Sequence, residues 1–276
     1  MSVGDAMNLA GAPISWGVCE VPGWGFQLPP ERVLAEMREL GLTATELGPD
    51  GFLTPALIEE YGLRVAGGFV PVVLHDPGHD PLPELPPDPP GMLVLAAATG
   101  ADGYDTRPVL DEKGWATLLA NLDRIAAAYG PGACLHPHVG TMIETREEVG
   151  RVLGGSSIPL CLDTGHLLIG GTDPAALAAA EPGRIAHVHL KDVDAALAGR
   201  VARGELTYTQ AVREGVYRPL GQGDVDIAGI VSGLNRNGYQ GWYVMEQDVV
   251  LSGSGDEPVH DVRRSLAYLD GVLGVG

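Results

Sequence analysis

Cysteine is scarce in this 276-residue chain, and so is positive charge. The three cysteines, Cys19, Cys134 and Cys161, are scattered and odd in number, with no Cys-x-x-Cys among them. That excludes a disulfide framework. Two of the three fall in apolar strand-like runs, which fits buried, reduced thiols in a reducing compartment. Lysine and arginine total 17 against 36 aspartates and glutamates, for a net charge of −19. Proteins that track phosphate backbones need surplus cations, so no nucleic-acid partner is expected. No stretch reaches the roughly 18 apolar residues of a membrane span, and the first residues lack a basic region followed by an apolar one. The expectation is a cytoplasmic protein with no membrane partner. The sequence leaves homo-oligomerisation open.

Phosphate-binding signatures are missing too. No Gly-rich fingerprint follows the first strand, and Gly221-Gln222-Gly223 lacks the Gly-Lys-Ser/Thr of a P-loop, so it reads as a turn. Asp163-Thr164-Gly165 matches the triplet of aspartic proteases, but no second copy exists to share a proton with it. With no internal repeat or linker, residues 1–276 read as a single domain.

What is present is an alternation of short apolar runs with amphipathic ones. Strands are expected over Ala10–Val18, Thr43–Leu47, Leu63–Leu74, Met92–Ala97 and Ala133–His138, then in runs ending at Asp163, His189 and Glu246. Helices are expected from Pro30 to Leu40, Pro55 to Tyr61, Asp111 to Tyr129, after Thr145-Arg146-Glu147-Glu148, from Pro174 to Ala180, after an Asp224 cap, and from Val259 onward. Between the third and fourth strands, Pro77–Gly91 holds seven prolines, a density that no helix tolerates. Between the seventh strand and its helix lies a mostly helical insertion, Val193–Arg218. Eight strands alternating with helices make the leading architecture an α/β (β/α)₈ TIM barrel, its third crossover helix replaced by the Pro-rich segment.

Such a barrel gathers its strand-end residues at one mouth. Here they are Glu46, His75 or Asp76, His136 and His138, Asp163, His189 and Glu246. Carboxylates and imidazoles crowded together need a cation between them, so a divalent metal is expected. Mn²⁺, Co²⁺, Mg²⁺ and Zn²⁺ all suit carboxylates with imidazole and no cysteine, and ligand type alone does not choose among them. Asp163 alone could instead cap a helix. Of His187 and His189, one is expected to turn to the far side of its strand, and His187 is assigned as the packed one.

At these residues the chain resembles the sugar-phosphate isomerase/epimerase superfamily of xylose-isomerase-like TIM barrels, and within it the inosose (2-keto-myo-inositol) dehydratase branch. The resemblance is carried by Ala12-Pro13-Ile14-Ser15-Trp16-Gly17-Val18, Thr45-Glu46-Leu47-Gly48-Pro49, Gly67-Gly68-Phe69-Val70-Pro71 and His136-Pro137-His138-Val139-Gly140-Thr141. Leu162-Asp163-Thr164-Gly165-His166, His187-Val188-His189-Leu190-Lys191-Asp192, Pro219-Leu220-Gly221-Gln222-Gly223 and Glu246-Gln247-Asp248 complete it. It implies a metal held by Asp163, His189 and Glu246. Where the superfamily's epimerases carry a strand-five glutamate this chain has His136, with His138 and Glu144 as rival fourth ligands. The implied activity is dehydration of a cyclic polyol ketone through a metal-stabilised enolate, in inositol catabolism. The alternative is isomerisation or epimerisation of a keto-sugar or inosose. Glu246 or a histidine would be the base, His138 or His166 the acid, and Lys191 would stabilise negative charge unless it pairs with Asp192. Trp16, Glu46, Phe69, His75 and Arg218 would contact the substrate.

Overall fold

The computed structural model describes residues 7–49 and 51–273. Eight parallel strands close into a barrel: β1 (Leu9–Gly11), β2 (Ala44–Glu46), β3 (Arg64–Val72), β4 (Met92–Ala97), β5 (Ala133–Leu135), β6 (Leu160–Asp163), β7 (Ile185–Leu190) and β10 (Tyr243–Met245). A separate antiparallel ribbon pairs β8 (Asp192–Val193) with β9 (Tyr217–Arg218). β10 sits between β7 and β1 and closes the ring.

Helices α1 (Pro30–Glu39), α2 (Pro55–Glu60), α3 (Glu112–Tyr129), α4 (Arg146–Gly155), α6 (Pro174–Ala180), α9 (Ile227–Arg236) and α10 (Val259–Leu273) accompany the barrel. All but α10 begin at a side-chain cap or a helix-initiating proline. Pro30 occupies the first position of α1, and Asp111 caps α3 by accepting from the Gly114 amide. The Thr145/Glu148 capping box forms as expected. Val33, Leu34 and Met37 of α1, Leu118, Leu122 and Ile125 of α3, and Ile227, Ile230 and Val231 of α9 join the strands in one continuous core. The short helix α5 (Thr164–Ile169) follows β6 directly, and α7 (Ala195–Ala202) and α8 (Tyr208–Arg213) lie in the insertion.

Two expectations are corrected. The first strand ends at Gly11 rather than running to Val18, because Pro13 initiates a 3₁₀ turn over Pro13–Trp16. The cap of α9 is Asp226, which accepts from the Gly229 amide, whereas Asp224 accepts from Ala195 at the start of α7. The insertion is mostly helical, as expected, with β8 and β9 pairing across its base. The Pro-rich crossover behaves as expected, its only helical feature being the 3₁₀ turn Leu82–Glu84. Among the described residues no helix is long and apolar enough to cross a membrane.

Candidate active site

β6, β7 and β10 bring the central residues together. Asp163 lies opposite His189 in the β6–β7 register, and His189 opposite Val244 in the β7–β10 register. Asp163 is fully buried and uses its two oxygens differently. Oδ1 caps α5 by accepting from the Gly165 and His166 amides, at 2.9 and 2.8 Å. Oδ2 faces the site, 3.2 Å from His136 Nε2 and 3.5 Å from both His189 Nδ1 and Lys191 Nζ. The helix-cap and ligand readings of Asp163 therefore hold together.

His189 is oriented from behind. Its Nε2 lies 3.0 Å from Glu46 Oε1, which also bonds His187 Nε2 at 2.7 Å. His189 Nδ1 is thereby turned toward Asp163 and Glu246. The distance from Nδ1 to Glu246 Oε2 is 3.0 Å, yet the nitrogen has no hydrogen-bond partner. A buried nitrogen that close to a carboxylate but misaligned with it is placed as a fellow ligand is placed. Metal–donor bonds of about 2.0–2.2 Å separate neighbouring ligand atoms by about 3.0–3.5 Å. One ligand atom each from Asp163, His189 and Glu246 lies within 4.8 Å of the others, so the donor set fits a divalent cation. His136 joins Asp163 and His166 in an overlapping group.

The expected outward turn of His187 is wrong. Strand residues two apart share a face, and both imidazoles reach the same Glu46 oxygen. Glu46 is held ionised: burial opposes its charge, but His189 and His187 outweigh that and keep its carboxyl far below the usual range.

Asp163-Thr164-Gly165-His166 grips Lys191. Thr164 Oγ1 accepts from the Lys191 amide at 2.9 Å and donates to the Lys191 carbonyl at 2.7 Å. Gly165 must lack a side chain, since a Cβ there would meet Lys191 Cβ at 2.7 Å and Tyr217 Cε1 at 2.8 Å. His166 Nε2 lies 3.0 Å from Lys191 Nζ. The ammonium also reaches Asp248 Oδ1 at 2.7 Å and Glu246 Oε2 at 3.1 Å. Burial alone would discharge Lys191, but Asp163, Asp248 and Glu246 reverse that and hold it protonated. The alternative pairing with Asp192 does not occur. Asp192 is buried and accepts from Val193, Gly221, Gly223 and Val225, pinning the Gly221-Gln222-Gly223 turn.

A cleft open to solvent lies over this cluster, with Glu46, Phe69, His136, His138, Lys191 and Glu246 in its walls. Phe69 stands edge-on to His136. His138 Nδ1 lies 2.7 Å from the Val139 carbonyl, which can only accept, so Nδ1 carries the proton and Nε2 keeps its lone pair. Burial, then His136 and Lys191, hold His138 neutral. His166 is neutral for the same first reason and stacks on His138 at 3.7 Å, behind the cleft wall.

Four expected site residues lie elsewhere. Trp16 is fully buried in the core, its Nε1 donating to Glu36, and Trp24 lines the cleft instead. Glu144 is engaged by Arg107 at 3.0 Å and by the Gly140 amide, turned away from the ligand cluster. Arg218 pairs with Asp194 at 3.0 Å and His75 is half-buried beyond β3, and neither lines the cleft. Sequence reasoning missed Asp248, Tyr104, Tyr208 and Tyr217. Asp248 was within reach, since it stands two residues beyond Glu246 on an extended segment and so shares its face.

Residues 91–271 match the family described as Xylose isomerase-like TIM barrel. This chain belongs to that family. It is 34% identical over 271 residues to the Rhizopine catabolism protein MocC of Rhizobium meliloti, covering 90% of this chain and 82% of that one. It is 32% identical to an inosose dehydratase of Geobacillus kaustophilus, covering 94% of this chain and 92% of the relative. Among solved structures, the IolI protein with a bound zinc atom superposes with a TM-score of 0.66 at 14% identity, covering 98% of this chain and 99% of that one. An L-ribulose 3-epimerase superposes with the same TM-score at 17% identity, covering 98% and 95%.

Proposed function

We propose that this chain is a metal-dependent carbon–oxygen lyase that dehydrates an inosose, with Asp163, His189 and Glu246 holding a divalent cation. The observation that carries the reading is the convergence of those three donors beside a charged, buried lysine at the floor of an open cleft. Near-full-length relatives named inosose dehydratase support the choice of substrate. When bound, the cation would draw electron density from a ketone and its neighbouring hydroxyl.

The protein's own groups supply the rest. Dehydration removes a proton from the carbon next to the ketone and expels the hydroxyl one carbon further on as water. His138, neutral and with Nε2 free, takes the carbon-bound proton and then returns it to the departing hydroxyl, which leaves as water, so the histidine ends neutral as it began. Lys191 donates a hydrogen bond to the substrate oxygen on which charge builds, a contact made worthwhile by exclusion of water. Glu46 fixes the ring of His189 so that Nδ1 serves the cation. Phe69 covers an apolar face of the ring.

The test is to incubate Mn²⁺-loaded protein with 2-keto-myo-inositol and follow ultraviolet absorbance. Growth of a conjugated dione band, abolished by a chelator and restored by Mn²⁺ or Co²⁺, is expected. A new ketone isomer without that band would replace the lyase by an isomerase or epimerase.

A further inference from the structure

The insertion between β7 and α9 closes a ring of hydrogen bonds around Lys191. Asp248, at the β10 end, accepts from Lys191 Nζ through Oδ1 at 2.7 Å and from the Tyr208 hydroxyl through Oδ2 at 2.6 Å. The Tyr208 hydroxyl lies 3.1 Å from that of Tyr217, which lies 3.4 Å from His166 Nδ1. His166 Nε2 returns to Lys191 Nζ at 3.0 Å. All five residues are buried. Two of them, Tyr208 on α8 and Tyr217 on β9, belong to the insertion, and neither hydroxyl bonds Asp163, His189 or Glu246. The insertion is itself anchored, by Thr209 donating its amide to Asp105 at 2.8 Å and by a small core in which its Val193, Ala211, Val212 and Val216 pack with Trp24, Val139 and Ile169.

We propose that Tyr208 and Asp248 are positioning residues, through which the insertion sets the direction in which the Lys191 ammonium points into the cleft. The inference rests on the proposed role of Lys191. An ammonium has three donors on a flexible four-carbon stem and does not choose among nearby carboxylates by shape. Here one of those carboxylates is itself fixed on its far side. Asp248 cannot swing without breaking its bond to Tyr208, so it holds the ammonium at a constant distance from Glu246. Without the Tyr208 hydroxyl, Oδ2 loses its donor in a buried site, and Asp248 is free to turn and draw Lys191 with it.

The chain's scarcity of lysine makes this measurable. Lys113, exposed on α3, is the only other lysine, so a ¹⁵N-lysine sample of the zinc-loaded protein gives two side-chain ammonium signals. In Tyr208→Phe the Lys191 signal is expected to shift while that of Lys113 stays in place and reports an intact fold. On 2-keto-myo-inositol, kcat should fall about tenfold with KM within about twofold, as loss of one hydrogen bond to a charged group implies. An unmoved Lys191 signal overturns the inference, whatever happens to the rate. A moved signal supports it even where inosose proves not to be the substrate, so the two readings fail separately. Should Tyr208→Phe not fold, Asp248→Asn keeps the shape of the ring and is read in the same way.

Discussion

Two crossovers of this barrel depart from the strand–helix–strand rhythm, and they depart in opposite directions. Between β3 and β4 the helix is lost, and the Pro-rich segment crosses with a single 3₁₀ turn. Between β7 and β10 the chain gains α7, α8 and the β8–β9 ribbon before α9 resumes the pattern. The first departure serves the outer layer. Leu85 is driven into the main core at 4% exposure, and the Tyr129 hydroxyl and Arg124 bind the segment at Pro86 and Asp80. The second packs with Trp24, Val139 and Ile169 in a small core at the mouth and delivers Tyr208 and Tyr217 to the site. The difference follows from geometry. A crossover leaves the barrel at the carboxyl ends of its strands, so residues inserted at once after a strand stand over the mouth, whereas residues replacing the helix itself lie against the barrel's flank.

This contrast can be broken at the mouth first. Lys191→Met removes the group on which the insertion's hydrogen-bond ring closes, and kcat is expected to drop by about 10²–10³-fold, as for loss of one charge-stabilising donor. A loss below threefold, measured on metal-loaded protein, would detach the insertion from the chemistry. On the flank, Leu85→Ala empties a core site and should cost about 2–4 kcal/mol of stability. Its thermal midpoint should fall by several degrees while kcat stays within about twofold, since no residue of 77–91 lines the cleft. A rate loss larger than the stability loss explains would show that both crossovers serve catalysis.

The barrel was legible because most strands are short apolar runs closed by an ionisable residue, and proline density marked the missing helix in advance. The tips of β6, β7 and β10 were legible for the same reason: Asp163, His189 and Glu246 each end an apolar run. Residues whose position depends on a third element were not. Trp16 and Trp24 flank one Gly-containing loop and look alike in sequence, but the 3₁₀ turn begun by Pro13 sends the first into the core and leaves the second at the cleft. Glu144 was drawn away by Arg107, a residue of the preceding crossover with no sequence signal. Tyr208 and Tyr217 sit in a segment rich in Ala, Arg and Glu, and their burial exists only once that segment folds back over β10. His187 is a different case, since strand periodicity alone places it on the face of His189.

The finest test of the contrast lies at the insertion's first cap. Asp194 Oδ1 accepts from the Ala196 and Leu197 amides at 3.0 Å each, while Oδ2 meets Arg218 across the ribbon. The Leu197 amide first, then Arg218, holds its carboxyl below the ordinary 3.8. A carboxyl depressed in the folded state adds stability above its unfolded value and loses that contribution as pH falls through its folded one. Asp194→Asn should therefore lower the thermal midpoint modestly near neutrality, by the equivalent of about 1 kcal/mol at most for a half-exposed cap. The gap between wild type and variant should close as the pH drops below 4, where the wild-type carboxyl takes up its proton. Because the insertion packs in a cluster separate from the main core, kcat is expected to follow the midpoint only if α7 helps hold α8 and Tyr208 in place. A gap that widens in acid would mean that the Asp194 charge opposes folding, and the cap would have to be assigned to shape alone.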